Sequence, residues 1–210
     1  MTFTADQVWG LAAAADRING EYLKEDEWLP NATPPCRGRE ANKHMVKRWL
    51  REGAFSEATE ADIAAGREYR RIINTYTMKV LTGKITDFER QALRIAQMDE
   101  FKTNNMLEFA IVSCLPAAAR REQEQVELKR ELFTSEPVPG VVGDTIAGEL
   151  TIIKSVWSQY YGKFKVVARL GESFVDFWHA QDFKGTVRVR AKIKQQRADN
   201  TTQLNYVKVL

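Results

Sequence analysis

Thr186-Val187-Arg188-Val189-Arg190-Ala191-Lys192-Ile193-Lys194 is the stretch that decides how this chain folds. Val187, Val189, Ala191 and Ile193 alternate with Arg188, Arg190, Lys192 and Lys194. A period of two marks a strand with one face in a core and the other in water. Working outward, strand-like runs recur at 146–157, 162–170, 173–178 and 201–209, separated by short turns. Five short strands, with a turn-like segment at 179–185 between the third and fourth, match the OB plan; an SH3-like barrel or a plain meander also accommodates them. The expected fold class is α+β: an N-terminal α-helical domain over 1–133, a linker over 134–143 and a C-terminal five-stranded OB-like β-barrel over 144–210.

Upstream of residue 133 the spacing turns helical. Thr4 is a candidate cap for a helix carrying Val8, Leu11, Ala12 and Ala15. Pro30, Pro34, Pro35 and Gly38 forbid regular structure over 28–40. A second helix is expected over 41–52 with Met45, Val46, Trp49 and Leu50 inward, and Gly53 ends it. A third starts near Ser56 or Thr59 and runs through Ile72, Ile73, Tyr76 and Val80 to Gly83. Thr86-Asp87-Phe88-Glu89 reads as a capping box, opening a helix that presents Leu93, Ile95, Ala96 and Met98. Helices over 106–115 and 117–132 follow, the second highly charged. Trp49, Tyr69, Tyr76 and Phe88 are the expected aromatic core. Pro137, Pro139, Gly140 and Gly143 punctuate the linker.

The 210 residues are 44% hydrophobic and 28% charged, the makeup of a folded soluble protein. No apolar run approaches the roughly 18 residues of a membrane span, and no secretory leader is visible, so no membrane partner is expected. Cys36 and Cys114 cannot form a disulfide framework, which makes a reducing compartment the default. Net charge is +3, unevenly placed: residues 144–210 hold eleven basic and six acidic side chains, and 1–143 hold 20 and 22. A compact positive module fits a polyanionic partner, although strand surfaces also carry cations for solubility.

The barrel residues sharpen that expectation toward single-stranded DNA or RNA. Ligand on an OB-fold usually crosses the second and third strands, flanked by the loops joining strands one to two and four to five. Here the first loop offers Trp157, Tyr160 and Tyr161 before Gly162. Strand two projects Lys163, Lys165 and Arg169 on one parity, strand three Phe174, Asp176 and Trp178, and the last loop contains Arg197. Strand four adds Arg188, Arg190 and Lys192. Cations attract phosphates while rings stack on unpaired bases. The competing reading puts Phe174 and Trp178 in a core and the strand-four cations in a diffuse field.

Lys154-Ser155, Tyr161-Gly162, the run 174–178 ending in Trp178, Gly185-Thr186-Val187 and Thr202-Gln203-Leu204 together resemble the C-terminal OB-type domain of many tailed-bacteriophage proteins. The resemblance covers a third of the chain. It implies a viral origin, a part in DNA metabolism, phage or host replication proteins as partners and a place in the host cytoplasm. Two features depart from that pattern: the zinc-binding cysteine cluster is absent, and the chain ends on Leu210 without an acidic tail.

Catalytic signatures are missing, and no enzyme activity and no cofactor are expected. His44 and His179 have no Cys or His at ligand spacing, and Cys36 with His44 cannot complete a zinc site. There is no phosphate loop and no nucleophile elbow. Lys43, Lys47 and Arg51, followed by Gly53 and then Arg67, Arg70 and Arg71, are compatible with a helix-turn-helix on duplex DNA. More often such a stripe is a solvated face, leaving the helical half for self-association or partner recruitment. Besides a single-strand binder, the chain is compatible with a protein-interaction factor or a virion component.

Overall fold

The computed structural model describes residues 2–29, 31, 36–102 and 105–210. Pro30, Pro34 and Pro35 lie outside them. The chain divides into two compact units, Met1–Gln125 and Val126–Leu210.

In the first unit, strand β1 (Thr2–Thr4) leads into helix α1 (Ala5–Asn19). Thr4 and Gln7 form a reciprocal capping box that satisfies the first free amides of α1. Its Val8, Trp9, Leu11 and Ala12 to Ala15 are all buried, so α1 is the central helix. Two short strands, β2 (Trp28–Leu29) and β3 (Cys36–Arg37), pair antiparallel within the stretch expected to be irregular. Next come α2 (Asn42–Glu52), a 3₁₀ turn (Phe55–Glu57) and α3 (Glu60–Asn74). Both α2 and α3 pack on α1. A Cβ on Gly66 would lie 2.8 Å from the Trp9 carbonyl carbon and oxygen, so only glycine lets α3 approach α1 this closely.

The long helix expected from near residue 56 or 59 to 83 is instead two. It breaks at Thr75 and Tyr76, and α4 (Thr77–Leu81) follows. The Thr75 hydroxyl donates to the Ile72 carbonyl and the Thr77 hydroxyl to that of Asn74. Such local side-chain bonds compete with helix continuation. After α5 (Asp87–Ala96), capped by Thr86 and Glu89 as expected, strand β4 (Glu100–Lys102) pairs with β1 and buries Phe3 against the same core as Phe101. Then come α6 (Met106–Val112) and α7 (Leu115–Thr134). Trp49 and Tyr76 are buried and Tyr69 partly so, but Phe88 is exposed. It stands in the first turn of α5, whose inward face is Ala92, Leu93, Ile95 and Ala96.

The second unit is the expected α+β complement: a closed five-stranded barrel of β5 (Thr145–Ser158), β6 (Lys163–Leu170), β7 (Ser173–His179), β8 (Thr186–Gln196) and β9 (Thr202–Val209). Around the ring the order is β5-β6-β7-β9-β8, the last returning to β5. The first half of β5 pairs with β8 and the second half with β6. All pairings are antiparallel except β7 with β9, a parallel contact registered at Val175–Thr202 and Asp176–Gln203 only. Leu150, Val166, Ala168, Val175, Phe177, Val189, Ala191, Ile193 and Leu204 fill the interior. Val187, Val189, Ala191 and Ile193 therefore point where their alternation places them, with Arg188, Arg190, Lys192 and Lys194 outside. Within the stretch expected as a linker, Val138 joins this core, and its amide donates to the Thr202 hydroxyl at 3.1 Å.

Candidate nucleic-acid interface

The β5–β6 turn is tight because Gly162 takes φ 58° and donates its amide to the Ser158 carbonyl at 2.9 Å. That geometry holds the intervening tyrosines outward. Tyr160 is 88% exposed and Tyr161 59%. Their rings meet edge-on at 4.8 Å, and Tyr161 lies 4.6 Å from Trp178 of β7, tilted by 48°. Trp178 faces Lys165 across the β6–β7 ladder, and the Lys165 ammonium lies 5.9 Å from the indole centre. Lys163, opposite Ser158, is exposed. Trp157 stands at the barrel rim: it registers with Phe164, contacts that ring at 5.0 Å and is 52% exposed. One outer face thus combines three touching rings with two lysines, and a fourth ring borders it.

Beside this face, Asp176 is buried on the outward parity of β7. Arg197 reaches it at 3.1 Å from the β8–β9 loop, and Lys165 lies 3.7 Å away. The loop is held rather than free: the Arg197 amide donates to the Thr201 carbonyl and the Asn200 amide to that of Arg197. Arg197 is therefore a tether for this loop as well as a member of the expected set.

Phe174 is a correction. Its parity is outward as expected, yet it is 2% exposed. It lines a cavity with Glu131, Thr134, Pro137, Pro139 and Arg169 at this end of β7. The Arg169 guanidinium lies 4.9 Å above the Phe174 ring and pairs with Glu131. Phe174 is thus enclosed, and Arg169 is engaged with Glu131. Arg188, Arg190 and Lys192 are exposed but lie across the ring from β6 and β7, because β8 sits between β5 and β9. The expected site is thus split: Trp157, Tyr160, Tyr161, Lys163, Lys165 and Trp178 on one side, the β8 cations on the other.

The sequence reading missed two residues on that second side, Tyr206 and Lys208 of β9, both exposed. A signal was present. Thr202 and Leu204 point inward, and strict alternation would send Tyr206 and Lys208 in as well. A lysine on the core parity is a sign that the register shifts, and β9 does bulge between Asn205 and Lys208.

Elsewhere the cations of the suspected helix-turn-helix are largely engaged. Lys43 pairs with Glu25, Arg67 with Asp6, Arg70 with Asp99 and Arg71 with Glu68. His44 Nδ1 lies 2.8 Å from the Asp26 carboxylate, and the His179 ring accepts the Gln181 amide. Burial pushes the Cys114 thiol up to about 11, which disfavours the reactive thiolate. Among the described residues no three His, Cys, Asp or Glu side chains gather to hold a metal, and no helix is long and apolar enough to cross a membrane.

Comparison of the chain with protein-family models, with curated proteins and with solved structures finds no match.

Proposed function

We propose that the barrel binds single-stranded nucleic acid across β6 and β7, bases stacking on Tyr160, Tyr161 and Trp178 and phosphates lying along Lys163 and Lys165. The observation that carries this reading is a row of solvent-facing rings in mutual contact beside two exposed lysines. Exposed rings can exchange water for a base without unpacking a core, and each stacked base contributes roughly 1 to 3 kcal/mol. On the strength of the resemblance, the proposal extends to a bacteriophage origin and a role in handling DNA inside the host, without catalysis by the chain itself. Titration with oligo-dT, followed by tryptophan fluorescence, should give saturable quenching that weakens as salt rises. No binding at low salt would refute it.

The helical unit supports a second, complementary reading, that of a surface for self-association. On α4, Met78, Val80 and Leu81 are exposed, Leu81 by 74%. Leu81→Glu should lower the solution mass if these side chains join two copies. An unchanged mass would remove that role.

A further inference from the structure

The face of the barrel opposite the aromatic row has its own construction. Between the pairs Arg190–Lys208 and Lys192–Asn205, β9 carries an extra residue, and Tyr206 there adopts φ 51°. A tyrosine in the left-handed region is strained, and such strain persists only where surrounding structure enforces it. The bulge turns the Tyr206 ring outward, 76% exposed, and returns Val207 to the core. Around it Thr145, Arg190, Ala191, Lys192, Tyr206 and Lys208 line a concavity of about 410 Å³.

Among the described residues no ion pair compensates the charge here. Arg190 and Lys208 face each other across the β8–β9 ladder, a like-charge pair that opposes folding. On the other side of β8, Arg190 meets Ala147 and Lys192 meets Thr145. By contrast Arg188 meets Glu149. Three cations converge on an exposed ring in a hollow, with no carboxylate registered opposite any of them.

Resting on the single-strand reading above, we infer that the same strand continues onto this face, with a second base on Tyr206 and its phosphates on Arg190, Lys192 and Lys208. OB-folds accommodate from about 4 to about 16 nucleotides, so the two faces can be separated by length. The test uses the full chain with fluorescein-labelled oligo-dT of about 4 and about 16 nucleotides, the label's anisotropy reporting binding.

Tyr206→Asn suits this backbone, because asparagine tolerates a positive φ and only the ring is lost. It should weaken binding of the long oligomer about tenfold, leave the short one unchanged and not lower the melting temperature. Tyr206→Phe should bind as the natural chain does. Replacing Arg190, Lys192 and Lys208 together with Gln should reduce the long oligomer's log–log salt slope by about 2, since each single-strand phosphate contact contributes roughly 0.7. If Tyr206→Asn binds the long oligomer normally while the lysine and arginine changes weaken it, the face is only a polyanion field, and the inference falls. If neither change matters to the long oligomer but the short one still binds, the inference falls and the β6–β7 reading stands. Loss of the short oligomer alone, with the long one still sensitive to Tyr206, refutes the β6–β7 reading and keeps this face. Binding of neither refutes both.

Discussion

Arginine after arginine in the helical unit leans on a carboxylate: Arg17 on Asp62, Arg39 on Glu27, Arg48 on Glu40, Arg94 on Glu108, Arg120 on Asp16. Lys79 bridges Glu89 and Glu122 at 2.7 and 2.6 Å. In the barrel, Lys163, Arg190, Lys192, Lys194 and Lys208 have no such partner among the described residues, while Lys165, Arg169 and Arg197 do. Many cations in the first unit are fastenings between elements. Those in the second are mostly surface. A count of basic residues treats the two alike; only their partners tell which are available to a ligand.

The largest effect that tests this contrast concerns Phe174, which was expected to meet bases and is instead enclosed. Phe174→Ala should destabilise the barrel by about 3 to 5 kcal/mol in denaturant unfolding. If stability held while oligo-dT binding fell, the ring would belong with the exposed set after all. In the helical unit, Gly66→Ala should destabilise by about 1 to 3 kcal/mol, because backbone cannot recede from the new methyl as a side chain would, with binding untouched. Tyr160→Ala should do the reverse: a melting temperature within a degree or so of the natural chain, and binding weaker by about 1 to 3 kcal/mol.

Acid offers the gentlest comparison. The Arg17 guanidinium holds the Asp62 carboxyl below its ordinary 3.8, and Arg67, Lys43, Arg39 and Arg71 likewise lower Asp6, Glu25, Glu27 and Glu68. A carboxyl that titrates lower when folded stabilises above its unfolded value, and that contribution is lost as pH falls through the folded one. From about pH 4.5 downward the helical unit should therefore lose stability as these pairs break, and in the barrel Asp199 is lowered in the same direction. Circular dichroism at falling pH should show helix melting ahead of strand signal; simultaneous loss would contradict it.

The architecture was legible where the signal is local. Val187 to Ile193 fixed their faces by alternation alone, and Thr86 with Glu89 announced a helix start through their own hydrogen bonds. What escaped was decided at a distance. Phe174 has the parity of a surface residue, and nothing near it in sequence tells that Pro137 and Pro139 would line a cavity with it. Tyr206 was hidden by a bulge whose cue, an out-of-phase lysine, lies two residues later. The break at Thr75 needed neither glycine nor proline, only hydroxyls bonding back to the preceding turn. The ring order that parts Arg188, Arg190 and Lys192 from Trp178 is a property of topology, invisible to any pattern along one strand.

The parallel contact of β7 with β9 spans two registered pairs, at Val175 and Asp176, and it joins strands that are separated in the chain by the whole of β8. Every other pairing in the ring except β5 with β8 links sequence neighbours, which meet early and cheaply. Closure of β9 on β7 is then the slow event in refolding, and until it happens those two strands each present an open edge to other molecules. Dilution and rapid mixing, more than any change of buffer, should govern how much chain is recovered from denaturant.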